Sequence, residues 1–231
     1  MVSFDNVTKR YGEVPILSSV TFTIEPSEFV FLTGKSGSGK TTVMRLLTHQ
    51  VPFEEGEIRV EDMNLKKLSK KDVQRLRRMI GVIYQDYKLL TERNVAENIA
   101  LGLEIMGKPK SEIDMRVREL LELIQLPDKA KLFPSQISGG EAQRVCIARA
   151  LAIAPKMLFA DEPTGNLDDP TAFSIVKLLA KINELGTTVV MATHNMSLVE
   201  RMNKRVIDLS EGKITDRPKK VVHQHKKESA K

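Results

Sequence analysis

The residues best equipped for chemistry are the eight that read Gly34-Lys35-Ser36-Gly37-Ser38-Gly39-Lys40-Thr41. They follow an apolar run, Phe29-Val30-Phe31-Leu32, and lead into Thr42-Val43-Met44-Arg45-Leu46-Leu47, so the order is strand, glycine-rich loop, helix start. The glycines let the backbone turn successive amides inward, and with the positive end of the helix those amides can surround phosphate oxygens. Lys40 adds a charge for the outer phosphates, and Thr41 offers a hydroxyl to a Mg²⁺ ion that bridges two of them, which is the design of a P-loop. A flexible turn with an exposed lysine is the plain alternative, and the flanking strand and helix argue against it.

Further candidates lie at the ends of other apolar runs. Met157-Leu158-Phe159-Ala160 reads as a buried strand and ends in Asp161-Glu162. Ligands of open parallel sheets collect at such ends, and the two carboxylates divide naturally, Asp161 toward the metal and Glu162 as the base that polarises a water for attack on a γ-phosphate. Thr187 to Thr193 runs into His194, which is placed to reach the γ-phosphate or the attacking water. Met79 to Tyr84 runs into Gln85, whose amide can complete a Mg²⁺ shell or hold that water. Ser138-Gly139-Gly140-Glu141 opens another helix and has two readings, a capping box or a second anion contact on exposed amides. Tyr11, beside the Gly12 turn, is an aromatic face on which a purine can stack.

These residues require an α/β frame. Val2 to Val7 and Ile16 to Ile24 read as strands, and Lys66 to Arg78 as a basic amphipathic stretch. From about Asn94 to Leu126 the pattern is helical, with Ile113, Val117, Leu120, Leu121 and Ile124 on one face, and we read a helical lobe inserted into the α/β core. Ala172 to Leu185 reads as a helix and Val206 to Leu209 as a last short strand.

Length and composition set outer limits. A chain of 231 residues, 41% of them hydrophobic, can bury a large core without metal or disulfide, and the single Cys146 suits a reducing compartment. No leader and no apolar run long enough to span a bilayer is legible, so work at a membrane is expected to be that of a peripheral subunit. The net charge of +6 sits mostly at the end, where Arg217 to Lys231 carry six basic residues and one acid, leaving +1 for residues 1–216. A near-neutral body argues against a nucleic-acid-coating surface. The basic segment is either a solvated end or an anionic-lipid contact.

Taken in order, the P-loop, Gln85, ISGGEAQR at Ile137 to Arg144, LFADE at Leu158 to Glu162, NLD at Asn166 to Asp168 and His194 resemble the nucleotide-binding subunit of an ATP-binding cassette (ABC) transporter over nearly the whole chain up to about Arg217. That resemblance implies a P-loop NTPase fold with a RecA-like core, an antiparallel β subdomain and a helical subdomain at about 88–136. It also implies a domain over 1–216 and a tail over 217–231. Tyr11 would stack on adenine. Gly34, Lys35, Ser36, Gly37, Ser38, Gly39, Lys40, Thr41 and Thr42 would cradle phosphates, and Thr41, Gln85 and Asp161 would form the Mg²⁺ and water shell. Glu162 would be the base, assisted by His194 and Gln85. Ser138, Gly139 and Gly140 would form the signature that contacts ATP held by an opposing subunit, in a head-to-tail homodimer, and Asp168 would be a further nucleotide-binding residue.

DEPTGNLD at Asp161 to Asp168 resembles the branch of lipoprotein-release, macrolide-export and cell-division ATPases, and IGVIYQDYKLL at Ile80 to Leu90 with MATHN at Met191 to Asn195 resembles its cell-division members. Lys35, Tyr84, Tyr87 and Glu141 depart from the commonest residues at their positions. The implied partner is an FtsX-like integral membrane subunit controlling peptidoglycan hydrolases at the cytoplasmic face of the division site, docked near Tyr87, Leu89 and Leu90. An exporter or lipoprotein-extraction ATPase remains the alternative, with a soluble nucleic-acid-acting ATPase behind it.

Overall fold

The computed structural model describes residues 1–217. Two sheets organise them. The first is antiparallel, in the order β2-β1-β4-β5, built from β1 (Val2–Tyr11), β2 (Val14–Ile24), β4 (Glu55–Val60) and β5 (Met63–Asn64). The second has the order β10-β9-β3-β8-β7-β6, with β3 (Phe29–Thr33), β6 (Ile80–Ile83), β7 (Met157–Asp161), β8 (Thr188–Thr193), β9 (Arg205–Ser210) and β10 (Lys213–Arg217). Its strands are parallel except β10, which pairs antiparallel with β9.

The central strands are apolar without alternation because both faces are covered. Phe29 and Phe31 of β3, Leu158 and Ala160 of β7, and Val189 and Met191 of β8 enter one core. Val30, Leu32, Met157, Phe159, Val190 and Ala192 enter the other. Helices α3 (Val95–Ile105), α4 (Lys110–Leu123), α5 (Gly139–Leu151) and α6 (Asp169–Glu184) contribute to the first core, so the helical lobe and the sheet share one continuous interior. The P-loop helix α1 (Lys40–Leu47) and the antiparallel sheet contribute to the second. Each buried Leu, Ile or Phe contributes about 1.5–3 kcal/mol, which fixes the strand ends that carry the chemistry.

Several boundaries differ from the sequence reading. The stretch from Lys66 to Arg78 divides into a short 3-10 turn, Leu65–Lys67, and α2 (Lys70–Met79), because Ser69 and Asp72 form a capping box that starts a new helix. α6 begins earlier than Ala172, since Asp168 accepts a hydrogen bond from the Thr171 amide and caps it. The last short helix, α7 (Met196–Met202), follows His194. Arg217, read as the first residue of the tail, pairs with Val206 as the last residue of β10. The rest of the basic segment lies outside the described residues.

Candidate active site

The strand order brings the loops that follow β3, β8, β7 and β6 side by side at the carboxyl ends of the sheet. The P-loop after β3 is closed on itself. Lys40 Nζ donates to the carbonyls of Gly34 at 2.8 Å and Lys35 at 3.1 Å, and the Ser38 amide donates to Lys35 O at 3.1 Å. Gly34 has no room for a side chain, since a Cβ there would stand 2.2 Å from Leu209 O. Ser38 Oγ is buried and has no hydrogen-bond partner among the described residues, as a phosphate-facing hydroxyl would be. Lys35, Ser36, Gly37 and Thr41 face solvent, while Thr42 is buried behind the loop.

Asp161 and Glu162 meet this loop from β7. Thr41 Oγ1 donates to Asp161 Oδ2 at 2.8 Å, and Asp161 Oδ1 is buried with no partner among the described residues. Burial raises the Asp161 pKa above the ordinary carboxylate value, against the pull of the Thr41 hydrogen bond. An unpaired carboxylate oxygen beside a threonine hydroxyl is a hard, oxygen-only donor set that fits Mg²⁺ completed by phosphate and water. Glu162 turns its backbone into the left-handed region, with φ of 48°, and is held there by its amide, which donates to Ala192 O at 3.0 Å. Its Oε1 lies 3.3 Å from Lys40 Nζ and 3.0 Å from His194 Nδ1. Thus Lys40, Glu162 and His194, from three separate loops, form one chain of contacts.

Gln85, two residues after β6, lies against the loop that follows Glu162, and no hydrogen bond among the described residues joins it to Thr41, Asp161, Glu162 or His194. The side-chain amide nitrogen of Gln85 lies 2.8 Å from the position a Cβ on Gly165 would take, and Asn166 Nδ2 donates to the Gln85 backbone carbonyl at 3.3 Å. Ser138 is the N-cap of α5 and completes a capping box with Glu141, whose Oε2 accepts from the Ser138 amide at 2.8 Å. Tyr87 Oη stands 3.0 Å from a Cβ built on Gly139, and Thr171 Cγ2 stands 2.5 Å from one built on Gly140. No hydrogen bond or ion pair among the described residues joins Ser138, Gly139, Gly140 or Asp168 to the P-loop of the same chain. Tyr11 is 43% exposed at the tip of the β1–β2 hairpin, with Lys9 Nζ 5.1 Å from its ring centroid. The same hairpin carries Ile16, whose Cγ2 stands 2.9 Å from a Cβ built on Gly39.

Ile16, Gly165, Thr171 and Leu209 were given no role at the site in the sequence reading. Ile16, Thr171 and Leu209 touch the loops through packing between segments far apart in the chain, which carries no local signature. Gly165, within DEPTGNLD, is the one that a glycine beside the motif carboxylates could have flagged.

Comparison with known proteins gives this geometry its family. The ABC transporter family model matches residues 17–165. The cell division ATP-binding protein FtsE of Streptococcus pneumoniae (strain D39) is 44% identical over 215 residues, covering 93% of this chain and 94% of that protein. FtsE of Bacillus subtilis (strain 168) is 45% identical over the same length, and FtsE of Escherichia coli K12 is 44% identical with 97% of its length covered. Among solved structures, the dimeric post-hydrolysis state of the ATP-binding cassette MJ0796 bound to ADP and Pi superposes with a TM-score of 0.84 at 35% identity, covering 95% of this chain and 99% of that one. The chain therefore belongs to the ABC transporter family, within it to the FtsE cell-division ATP-binding proteins, and it is an ATP-hydrolysing subunit.

Proposed function

We propose that the chain couples ATP hydrolysis at this site to an FtsX-like membrane subunit in cell division, acting as a head-to-tail homodimer. The observation that carries the reading is the convergence of Lys40, Glu162 and His194 beside the Thr41–Asp161 pair at adjacent strand ends. The P-loop amides and Lys40 hold the β- and γ-phosphates, and Tyr11 stacks on the base. Thr41, Asp161 and Gln85 would hold Mg²⁺, which supplies charge neutralisation on the transferred phosphoryl group. Glu162 accepts a proton from the water as its oxygen bonds to the γ-phosphorus, and the bond to the β–γ bridging oxygen breaks to leave ADP and phosphate. His194 orients Glu162 and senses the γ-phosphate.

Ser138, Gly139 and Gly140 present helix-start amides with no P-loop partner in their own chain, which suits a second subunit's nucleotide. MJ0796 is described as dimeric, which supports this assembly. No helix among the described residues is long and apolar enough to cross a membrane, so attachment falls to the partner at the cytoplasmic face, with anionic-lipid contact by the basic segment as a supplement. Leu89 packs against the interior while Leu90 is exposed, which favours Leu90 over Leu89 as the residue that would meet the partner.

The test is to trap the Glu162→Gln chain with ATP in its native membranes and identify what co-purifies. A polytopic partner with a large extracytoplasmic domain and bound cell-wall hydrolases supports the division reading. A partner carrying lipoprotein or small-molecule cargo moves the chain to export.

A further inference from the structure

The segment after Gln85 has an unusual backbone. Tyr87 and Lys88 are consecutive residues in the left-handed region, with φ of 56° and 49°, a conformation that strains a non-glycine backbone. Something must hold it. Arg149, in the last turn of α5, donates from Nη1 to Lys88 O at 2.6 Å and from Nη2 to Tyr87 O at 2.7 Å. Cys146, one turn back on the same helix, donates from Sγ to Tyr87 O at 3.0 Å. No carboxylate pairs with Arg149 among the described residues, so its charge is directed at these two carbonyls. Such charge-assisted bonds are roughly twice as strong as neutral ones, and the planar fork fixes the two oxygens relative to each other.

The opposite end of α5 grips the same segment, because the Tyr87 hydroxyl lies over Gly139. Lys88 turns back within the segment, its ammonium 4.5 Å from the Tyr84 ring centroid. Beyond it, buried Asn98 accepts from the Leu90 amide at 2.8 Å and donates to Leu90 O at 3.0 Å. The strained pair is therefore clamped from α5 and, two residues later, from α3. The Gln85 side chain packs against Gly165, and among the described residues the one hydrogen bond to Gln85 is from Asn166 Nδ2 to its backbone carbonyl.

We infer that Arg149 is a positioning residue for ATP hydrolysis, setting the place of Gln85 by holding the Tyr87 and Lys88 carbonyls to the helix that begins at Ser138. The inference rests on the proposed role of Gln85. It adds that displacement of α5 at its Ser138 end is passed through Arg149 to the side chain that faces the metal and water. Arg149 touches no reacting atom.

The test uses the full chain with Mg·ATP. Arg149→Ala should lower kcat about tenfold or more while the KM for ATP stays within about twofold, since positioning errors act on the chemical step. Arg149→Lys keeps the charge without the fork and should recover only part of the loss. In a double-mutant cycle, adding Arg149→Ala to Gln85→Ala should cost little beyond Gln85→Ala alone. Independently, hydrogen exchange of amides 86–90 should accelerate in Arg149→Ala while amides 142–148 of α5 keep their protection. Parent-like kcat in Arg149→Ala beside a slow Gln85→Ala, losses that multiply in the double variant, or unchanged exchange at 86–90 would each overturn the inference. Parent-like turnover in Gln85→Ala together with accelerated exchange in Arg149→Ala would instead refute the role of Gln85 and leave the clamp standing as structure alone, which also overturns the positioning claim.

Discussion

The Lys40 ammonium stands 3.3 Å from the Glu162 carboxylate, so the residue that would hold phosphate and the residue that would accept a proton neutralise each other across the site. In the proposed site, phosphate would compete with Glu162 for Lys40. Glu162→Gln removes the competing charge, so ATP should bind at least as tightly as to the parent while hydrolysis falls by about 10² to 10⁴. Fluorescent-nucleotide titration and single-turnover phosphate release measure the two effects separately, and wild-type turnover in the variant would take Glu162 out of the base role.

Two P-loop glycines should respond very differently to alanine. Gly37 has φ of 77° with nothing within 4 Å of an added Cβ, so Gly37→Ala carries only backbone strain, about 1–2 kcal/mol. Gly34 has φ of 144° and its Cβ would strike the Leu209 carbonyl at 2.2 Å, which a backbone atom cannot easily relieve. Gly34→Ala should lose nucleotide binding and Gly37→Ala should retain most of it, as isothermal titration would resolve.

Stability should depend on pH through Asp161. Its folded-state pKa is raised by burial, so the folded chain keeps this proton to higher pH than the unfolded chain does. Raising the pH from the unfolded pKa to the folded one therefore lowers stability, and the full penalty persists at neutral pH. Asp161→Asn removes it. Without Mg²⁺ the variant should melt above the parent at pH 7, and the gap should close below the ordinary carboxylate pKa. Added Mg·ATP should raise the parent's Tm more than the variant's.

Gln143 of α5 is fully buried, and neither its side-chain amide nitrogen nor its amide oxygen has a hydrogen-bond partner among the described residues. Leaving such groups unsatisfied costs about 1–3 kcal/mol. Gln143→Met, of similar volume, should raise the urea midpoint without changing the m-value. A lower midpoint would show that the amide is satisfied in solution by an internal water.

The P-loop, the strand-end carboxylates and His194 were legible because each is a local pattern: an apolar strand, a turn, then a polar residue with a job. The clustered helical periodicity of Ile113, Val117, Leu120 and Leu121 likewise marked α4. The capping box at Ser138 was legible as one of two readings, and the geometry realises it while leaving the neighbouring amides at the helix start. β10 was not legible, because Lys213 to Arg217 is mostly polar and exposed and becomes a strand only through β9. Arg149 was invisible for a related reason, since its partners are backbone carbonyls about sixty positions earlier and carry no side-chain signature.

That edge pairing of β10 with β9 bears on how the chain can be shortened. Truncation before Lys213 would strip β9 of its neighbour and leave a row of unsatisfied amides and carbonyls on a strand that contains Val206, Ile207 and Leu209, a template for intermolecular strand addition. It would also take Asp216 from Arg205. Preparations ending at Arg217 keep the guard strand intact and should stay monodisperse, whereas those ending near Ser210 should aggregate with a concentration dependence that no change in the ATP site would cure.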